Sequence, residues 1–314
     1  FLPTSVHNES FPKSLLPEQY FPAVQLDMDR NAVYSSHEMP SSMDLTVENG
    51  LDPSHFPYAH HAVISKRSDG GPIPMKTVTF NFTHFDVAAN YSRNGITRER
   101  LYCFQRPFLV YTQEKKEGNW KPASNFFVVP VHEGRCRVIT SVEKLSKSWF
   151  PVWLRHMFVT RLLVGDYILH DTERERQSSR SYYQPTEADG SAKAFKRWFT
   201  KYGMANSPPH TFRSATLQNL KPLTRREYED QWLLHTYACS TCRKVLQRAR
   251  IGRVVAGLGG VLLASMLKKH QPVWATLICA SGLLASWVAN KLVTFHEGSI
   301  RPSDASDRDW SMYQ

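Results

Sequence analysis

The spacing of apolar and polar residues changes three times along the 314-residue chain. Residues 1–45 are rich in Pro, Ser and acids and hold no sustained period, which predicts loop and irregular structure. From Met75, "MKTVTFNFTHFDVAANY" alternates and is rich in β-branched and aromatic residues, the pattern of a strand. "NFFVVPVHEGRCRVITSV" predicts two strands around a turn at His132, Glu133 and Gly134. At residue 151 the period becomes helical. "PVWLRHMFVTRLLVGDYILHDTERERQ" opens on Pro and predicts one helix over residues 151–177. A second, basic helix is expected at "SAKAFKRWFTKYG", with Gly203 as its C-cap. A third starts near Thr224 and continues through "REYEDQWLLHTYACSTCRKVLQRAR".

The C-terminal third has another texture. "IGRVVAGLGGVLLASMLKK" and "VWATLICASGLLASWVANKLV" are two apolar runs, parted by "KKHQP". Each approaches the roughly 20 residues that cross a bilayer. Gly257, Gly259, Gly260, Ala264 and Ser265 in the first run, and Ala280, Ser281, Gly282, Ala285 and Ser286 in the second, suit close packing of two membrane helices. The competing reading is a helical hairpin buried in a soluble core. Arg243, Lys244, Arg248, Arg250 and Arg253 precede the hairpin, and the positive-inside bias places the rest of the chain on the cytoplasm-like side.

Composition narrows the picture. Hydrophobic content of 41% is enough for a proper core, and a net charge of +11 fits an anionic membrane surface or nucleic acid. No aromatic-rich RNA-binding signature or finger spacing is present, so no nucleic-acid partner is expected. Five cysteines, an odd number in a long chain, argue against a disulfide framework. The chain opens at Phe1 without Met or a secretory signal, which suggests a fragment or a processed form.

The densest chemistry lies in "VENGLDPSHFPYAHHAV", residues 47–63. His55 and His60 have the character of metal ligands, since imidazole is the commonest protein ligand for iron, zinc and copper. The zinc-protease pattern H-E-x-x-H is absent. Five residues apart on a regular helix, the two rings would point about 140° away from each other. They share one metal only if the segment is distorted, and Pro57 between them supplies a reason. Asp52 followed by Pro53 reads as an N-cap and first-turn pair. A His-rich surface loop is the bland alternative.

"ENGLDPSHFPYAHH" resembles the mononuclear iron motif of Rieske-type oxygenases, N-x-x-D-x-x-H-x-x-x-x-H, on Asn49, Asp52, His55 and His60. Its fuller form is similar to the pheophorbide a oxygenase group, with its chloroplast envelope translocon-associated and protochlorophyllide oxygenase relatives. "GGPIPM", "VVPVHEGRCRVI", "ADGSAKAFKRWFTKYG" and "DQWLLHTYACSTCRKVL" extend the resemblance over residues 45–292. It implies an α+β fold, an antiparallel sheet wrapped around a long helix (the helix-grip catalytic domain), followed by the two-helix membrane hairpin. The organisation it implies is a connector over residues 1–45, a non-haem iron domain over 46–235, a CxxC and basic segment over 236–250, the hairpin over 251–292 and a tail over 293–314.

Function follows from the same resemblance. Mononuclear Fe(II) would be held by His55, His60 and a carboxylate from a later helix, leaving neighbouring positions open. Asp166 is the choice, because it falls on the apolar stripe of Val159, Leu162, Leu163 and Leu169, where an acid is costly without a partner. Asp171 falls on the solvated side; Glu173 is the backup. Asp52 would hydrogen-bond a ligand His and link the iron to the 2Fe–2S cluster of a neighbouring subunit, and Asn49 would line the pocket. His61 and Glu48 stay unassigned. A Rieske cluster needs C-x-H and C-x-x-H, which these 314 residues do not contain. The resemblance places that domain ahead of Phe1. Cys239 and Cys242 would be a redox-regulated pair and thioredoxin target. A zinc site there would need two more ligands, and none is expected nearby. The implied enzyme is a ferredoxin-dependent oxygenase of a chlorophyll-derived tetrapyrrole, a homotrimer in a chloroplast membrane with its catalytic part on the stromal side. The rivals are a redox-sensing envelope protein signalling through the cysteines and a membrane-tethered pigment-binding module.

Overall fold

The computed structural model describes residues 33–93, 96–132, 134–142, 148–178, 184–203, 223–224, 227 and 230–298. Most of the expected connector, the last part of the expected tail and much of the segment leading into residue 230 lie outside this set.

Seven antiparallel strands form one sheet. They are β1 (Ser35–Met39), β2 (Met75–Phe80), β3 (His84–Arg93), β4 (Ile96–Gln105), β5 (Leu109–Lys116), β6 (Asn119–His132) and β7 (Arg135–Val142). The order is β1-β7-β6-β5-β4-β3-β2, a meander from β2 to β7 closed by β1 at the far edge. The β6–β7 turn falls at the expected place, and Gly134 takes φ +67°, a conformation that costs glycine little. β1 lies in a stretch read as irregular. Its inward residues are Ser35, His37 and Met39, so two of the three buried positions are polar and no apolar alternation marks it.

Helix α1 (Met43–Leu51) follows β1 and is buried almost all round, with Met43, Leu45, Val47 and Leu51 in the core. Its polar residues survive burial because they bond locally: Thr46 Oγ1 donates to the Ser42 carbonyl at 2.9 Å and lies 2.7 Å from Ser41 Oγ. A single turn, α2 (Phe56–Ala59), comes next. Residues 151–177 are not one helix. They form α3 (Val152–Val164) and α4 (Leu169–Ser178), separated by turns from Gly165 onward. The expected basic helix is α5 (Gly190–Trp198), and it continues as a π turn over Phe199–Gly203. α5 packs Phe195 and Trp198 onto Phe104 of the sheet, with ring centroids 5.1 and 4.8 Å apart. The Trp198 indole donates to the Asn81 carbonyl at 3.0 Å, so the ring is buried with its one donor satisfied.

A second π turn, Trp232–Thr236, leads to two long helices, α6 (Ser240–Leu267) and α7 (Pro272–Glu297). The basic run and the first apolar run are thus one continuous helix. Both helices are long and apolar enough to cross a membrane, and few of their apolar side chains are buried. They meet at glycines: a Cβ on Gly260 would lie 2.9 Å from the Gly282 Cα, and one on Gly257 would lie 3.2 Å from Ser286 Oγ. Ser286 Oγ donates to the Arg253 carbonyl at 2.7 Å across the pair. Gly259, expected at this seam, faces open space.

Candidate metal centre

α1 delivers the motif. Its C-terminus is Asp52, whose carboxylate accepts from Ser54 N–H at 2.7 Å and Ser54 Oγ at 2.6 Å. Asp52 therefore closes α1 and builds the turn, and is not the N-cap of the next helix. The reason is its own short side chain, which reaches the backbone two residues on. His55 stands at the start of α2 and His60 at its end, with φ −112° and ψ 28°. Neither imidazole sits inside a regular helix, so the expected divergence is removed and the two Nε2 atoms come within 3.0 Å.

Asp166 enters from the break after α3. Its Oδ1 lies 3.3 Å from His60 Nε2 and 3.6 Å from His55 Nε2. Gly165 makes the approach possible, because a Cβ there would lie 2.5 Å from the Ala59 carbonyl oxygen and 3.1 Å from His60 Nδ1. Ligands about 2.1 Å from an ion at right angles are about 3.0 Å apart, so the triangle of 3.0, 3.3 and 3.6 Å suits one metal with a facial set of ligands.

The electrostatics agree. Burial pushes the Asp166 carboxyl up to about 7, against the opposing effect of the Asn49 side chain. Burial lowers His55 to about 4 and His60 to about 3, with the neighbouring His55 ring adding to the shift at His60. Backbone carbonyls of Asp52 and Leu162 beside the two rings act in the opposite sense. Both imidazoles are thus neutral near pH 7, the form that binds metal.

A cavity of about 340 Å³ opens on the triad, lined by Asn49, His55, His60 and Asp166 together with Val63, Ile64, Phe126, Val128, Phe158, Leu162 and Leu163. Arg98, Arg100 and Lys116 reach its wall beside Glu114, which accepts from Arg98 at 2.6 Å. Sequence reasoning did not single out these four. Their signal was available in the alternation of β4 and β5, which puts Arg98, Arg100, Glu114 and Lys116 at even spacing on one face.

The other candidates separate. Asp171 is half-exposed and pairs with Arg174 at 3.4 Å. The side chain of Glu173 lies outside the described residues. Exposed His61 accepts from the Arg67 N–H at 3.2 Å. The Asp52 carboxylate is held by Ser54, and it is the Asp52 backbone carbonyl that faces His55. Cys239 and Cys242 lie together, and two histidines do stand beside them, His156 from α3 and His235 from the π turn. The expectation that no further ligands are near fails because His156 is 83 residues away in sequence and comes close only through folding. His235, four residues before Cys239, was legible in "HTYACSTC". The Cys242 sulfur, followed by the two imidazoles, holds the Cys239 thiol far below its usual range.

Two histidines and a carboxylate grouped on one side of an apolar cavity define a candidate non-haem metal centre. No family model matches the chain. It is 26% identical over 309 residues to flavonoid 8-hydroxylase 2, chloroplastic, of Ocimum basilicum, covering 86% of this chain and 57% of that protein. It is 26% identical over 300 residues to pheophorbide a oxygenase, chloroplastic, of Oryza sativa subsp. japonica, covering 82% and 54%. The resemblance to pheophorbide a oxygenase that the motif carries therefore extends over most of the chain, and the chain spans about half the length of the curated relatives it matches. Among solved structures, dicamba monooxygenase bound to 3,6-dichlorosalicylic acid is similar at a TM-score of 0.42 and 12% identity, over 55% of this chain and 60% of that one.

Proposed function

We propose that this chain is the catalytic and membrane portion of a Rieske-type non-haem iron oxygenase acting on a chlorophyll-derived tetrapyrrole such as pheophorbide a. The observation that carries the reading is the convergence of His55 Nε2, His60 Nε2 and Asp166 Oδ1 within 3.6 Å of one another at an apolar cavity. Ferrous iron held by these three would supply dioxygen activation beside the cavity. Asn49 lies against the Asp166 carboxylate and steadies it in its charged form. Val63, Ile64, Phe126 and Leu162 exclude water and offer a greasy wall to a flat substrate. Arg98, Arg100 and Lys116 outnumber Glu114, and the surplus positive charge suits an anionic substituent such as a propionate.

In this reading electrons come from ferredoxin through a 2Fe–2S cluster, across a homotrimer interface that includes Asp52. The two apolar helices anchor the protein in a chloroplast membrane beside its hydrophobic substrate, with the iron site on the stromal side. Relatives named as chloroplast proteins support the compartment. The test is iron content of the purified chain, followed by turnover of pheophorbide a, chlorophyllide, protochlorophyllide and a flavone with reduced ferredoxin and the Rieske cluster supplied. One iron per chain, absent from the His55→Ala, His60→Ala double variant, is expected. An intact protein that takes up no iron overturns the proposal; turnover of the flavone alone overturns its substrate.

A further inference from the structure

We infer that His156, His235, Cys239 and Cys242 form a second metal site, a closed structural zinc centre at the junction between the catalytic body and the apolar helices. This does not depend on the iron reading, because the two clusters share no residue.

All four ligand atoms lie within 4.8 Å of one another. His156 Nδ1 is 3.4 Å from Cys239 Sγ and 3.6 Å from Cys242 Sγ, and His235 Nε2 is 3.3 Å from Cys242 Sγ. In a tetrahedral site with zinc–sulfur bonds of about 2.3 Å and zinc–nitrogen bonds of about 2.0–2.1 Å, sulfur–nitrogen edges come to about 3.6 Å. These three sulfur–nitrogen edges match a single ion. They do not match a Rieske cluster, in which two cysteines bind one iron and two histidines the other, so the sulfurs and nitrogens stand apart.

The surroundings prepare the ligands. His235 Nδ1–H donates to the Ser36 carbonyl at 2.7 Å, which leaves Nε2 with a bare lone pair directed at Cys242. A backbone carbonyl on the far nitrogen is the usual way a ligand histidine is oriented and its tautomer fixed. The His37 ring stacks on His235 at 4.3 Å and holds its plane. Cys239 is the N-cap of α6, where the helix dipole favours thiolate, and Cys242 N–H points to its sulfur at 3.5 Å. His156, His235 and Cys242 are buried and Cys239 is partly exposed. Two soft sulfurs and two imidazoles, without oxygen ligands, select zinc over the hard cations. Four protein ligands fill the coordination shell, so the site holds structure and does no chemistry on a substrate. What it holds is specific: it fastens the first turn of α6 to α3 and to the π turn before it.

The test uses the full chain, reduced and freed of metal, titrated with zinc and separately with cobalt(II). One zinc per chain is expected, in addition to any iron. Cobalt should give thiolate-to-metal charge transfer and the visible bands of a tetrahedral ion, and zinc should protect both thiols from alkylation. Cys239→Ser and Cys242→Ser should each weaken zinc by more than the roughly 10–100-fold that losing an outer partner costs. His55→Ala with His60→Ala should leave zinc in place. Because the cobalt spectrum and thiol protection are read on the unaltered chain, poor folding of a variant does not spare the inference. Reduced protein that binds neither ion, or that closes a Cys239–Cys242 disulfide unhindered by zinc, overturns it and leaves the thiol pair as a redox switch.

Discussion

Replacing Gly165 by Ala should open the proposed iron site without touching one of its three candidate ligands. Its backbone angles, φ −62° and ψ −24°, are open to any residue, so the substitution meets no conformational barrier. On entropy alone it would stabilise the fold by about 0.4–1 kcal/mol. The obstacle is space. The new methyl would stand 2.5 Å from the Ala59 oxygen and 3.1 Å from His60 Nδ1, both on the segment that presents the histidines. An ordinary separation of about 3.5 Å then needs a retreat of roughly 1 Å. The atoms that retreat carry His60 on one side and the neighbouring Asp166 on the other, so their 3.3 Å separation widens by a similar amount. We expect ferrous affinity to fall about 10–100-fold, as when a ligand's support is lost. Overpacking should cost about 1–3 kcal/mol, exceeding the entropic gain. Ferrous titration and thermal unfolding, with Gly71→Ala in open space as the control, measure both. Unchanged iron affinity in Gly165→Ala refutes the reasoning.

Protonation gives a second prediction. With Asp166 at about 7 and His55 and His60 at about 4 and 3, the metal-free protein between pH 4 and 7 carries one proton that iron must displace. Apparent ferrous affinity should fall about tenfold per pH unit below 7 and more steeply near pH 4, and Asn49→Ala should move the upper midpoint to higher pH; a flat profile from pH 5 to 8 contradicts this. Asp166→Asn should abolish iron binding, whereas Asp171→Asn should leave it intact and change stability by less than about 0.5 kcal/mol, since its pair with Arg174 is exposed. In membranes, Gly257→Cys with Ser286→Cys should cross-link readily, because a Cβ at position 257 would lie 3.5 Å from that of Ser286, and Gly260→Leu should stop it by forcing the helices apart. Cross-linking that survives Gly260→Leu places the seam elsewhere.

What the sequence revealed follows from how local each signal is. The β6–β7 hairpin and the apolar helices were legible because their periods run through contiguous residues. β1 was not, because an edge strand with Ser35, His37 and Met39 inward carries no hydrophobic alternation. The helix over residues 151–177 was read as continuous because the apolar period passes through Gly165 undisturbed, and only the close approach of Ala59 shows why a glycine stands there. Asp166 was singled out, among the acids of the late helix that the resemblance points to, by its position on an apolar stripe. His156, on α3, was not singled out, since one buried histidine carries no mark until the fold brings Cys239 and Cys242 against it.

α3 joins the two clusters, with His156 near its start and Asp166 two residues past its end, about 15 Å along the helix axis. A metal at the second cluster could therefore act on the iron site or on the membrane junction, and the packing decides between them. The far end of α3 is locked independently, because Gly165 is wedged against Ala59 and Leu162 and Leu163 are buried. Among the described residues the junction rests on Leu234 in the main core, on a small cluster of Leu246, Ala249 and Val293 with Trp232 and Leu292 packed against it, on the His235–Ser36 hydrogen bond, and on the Arg250–Glu297 pair at 2.8 Å. Stripping zinc should thus change ferrous affinity by less than about threefold, below the usual range of coupling between sites. It should make the chain between Trp232 and Cys242 much more sensitive to proteolysis, because local opening there is no longer opposed by the metal. If chelation lowers ferrous affinity as much as Gly165→Ala does, α3 transmits the loss and the wedge at Gly165 is not a lock.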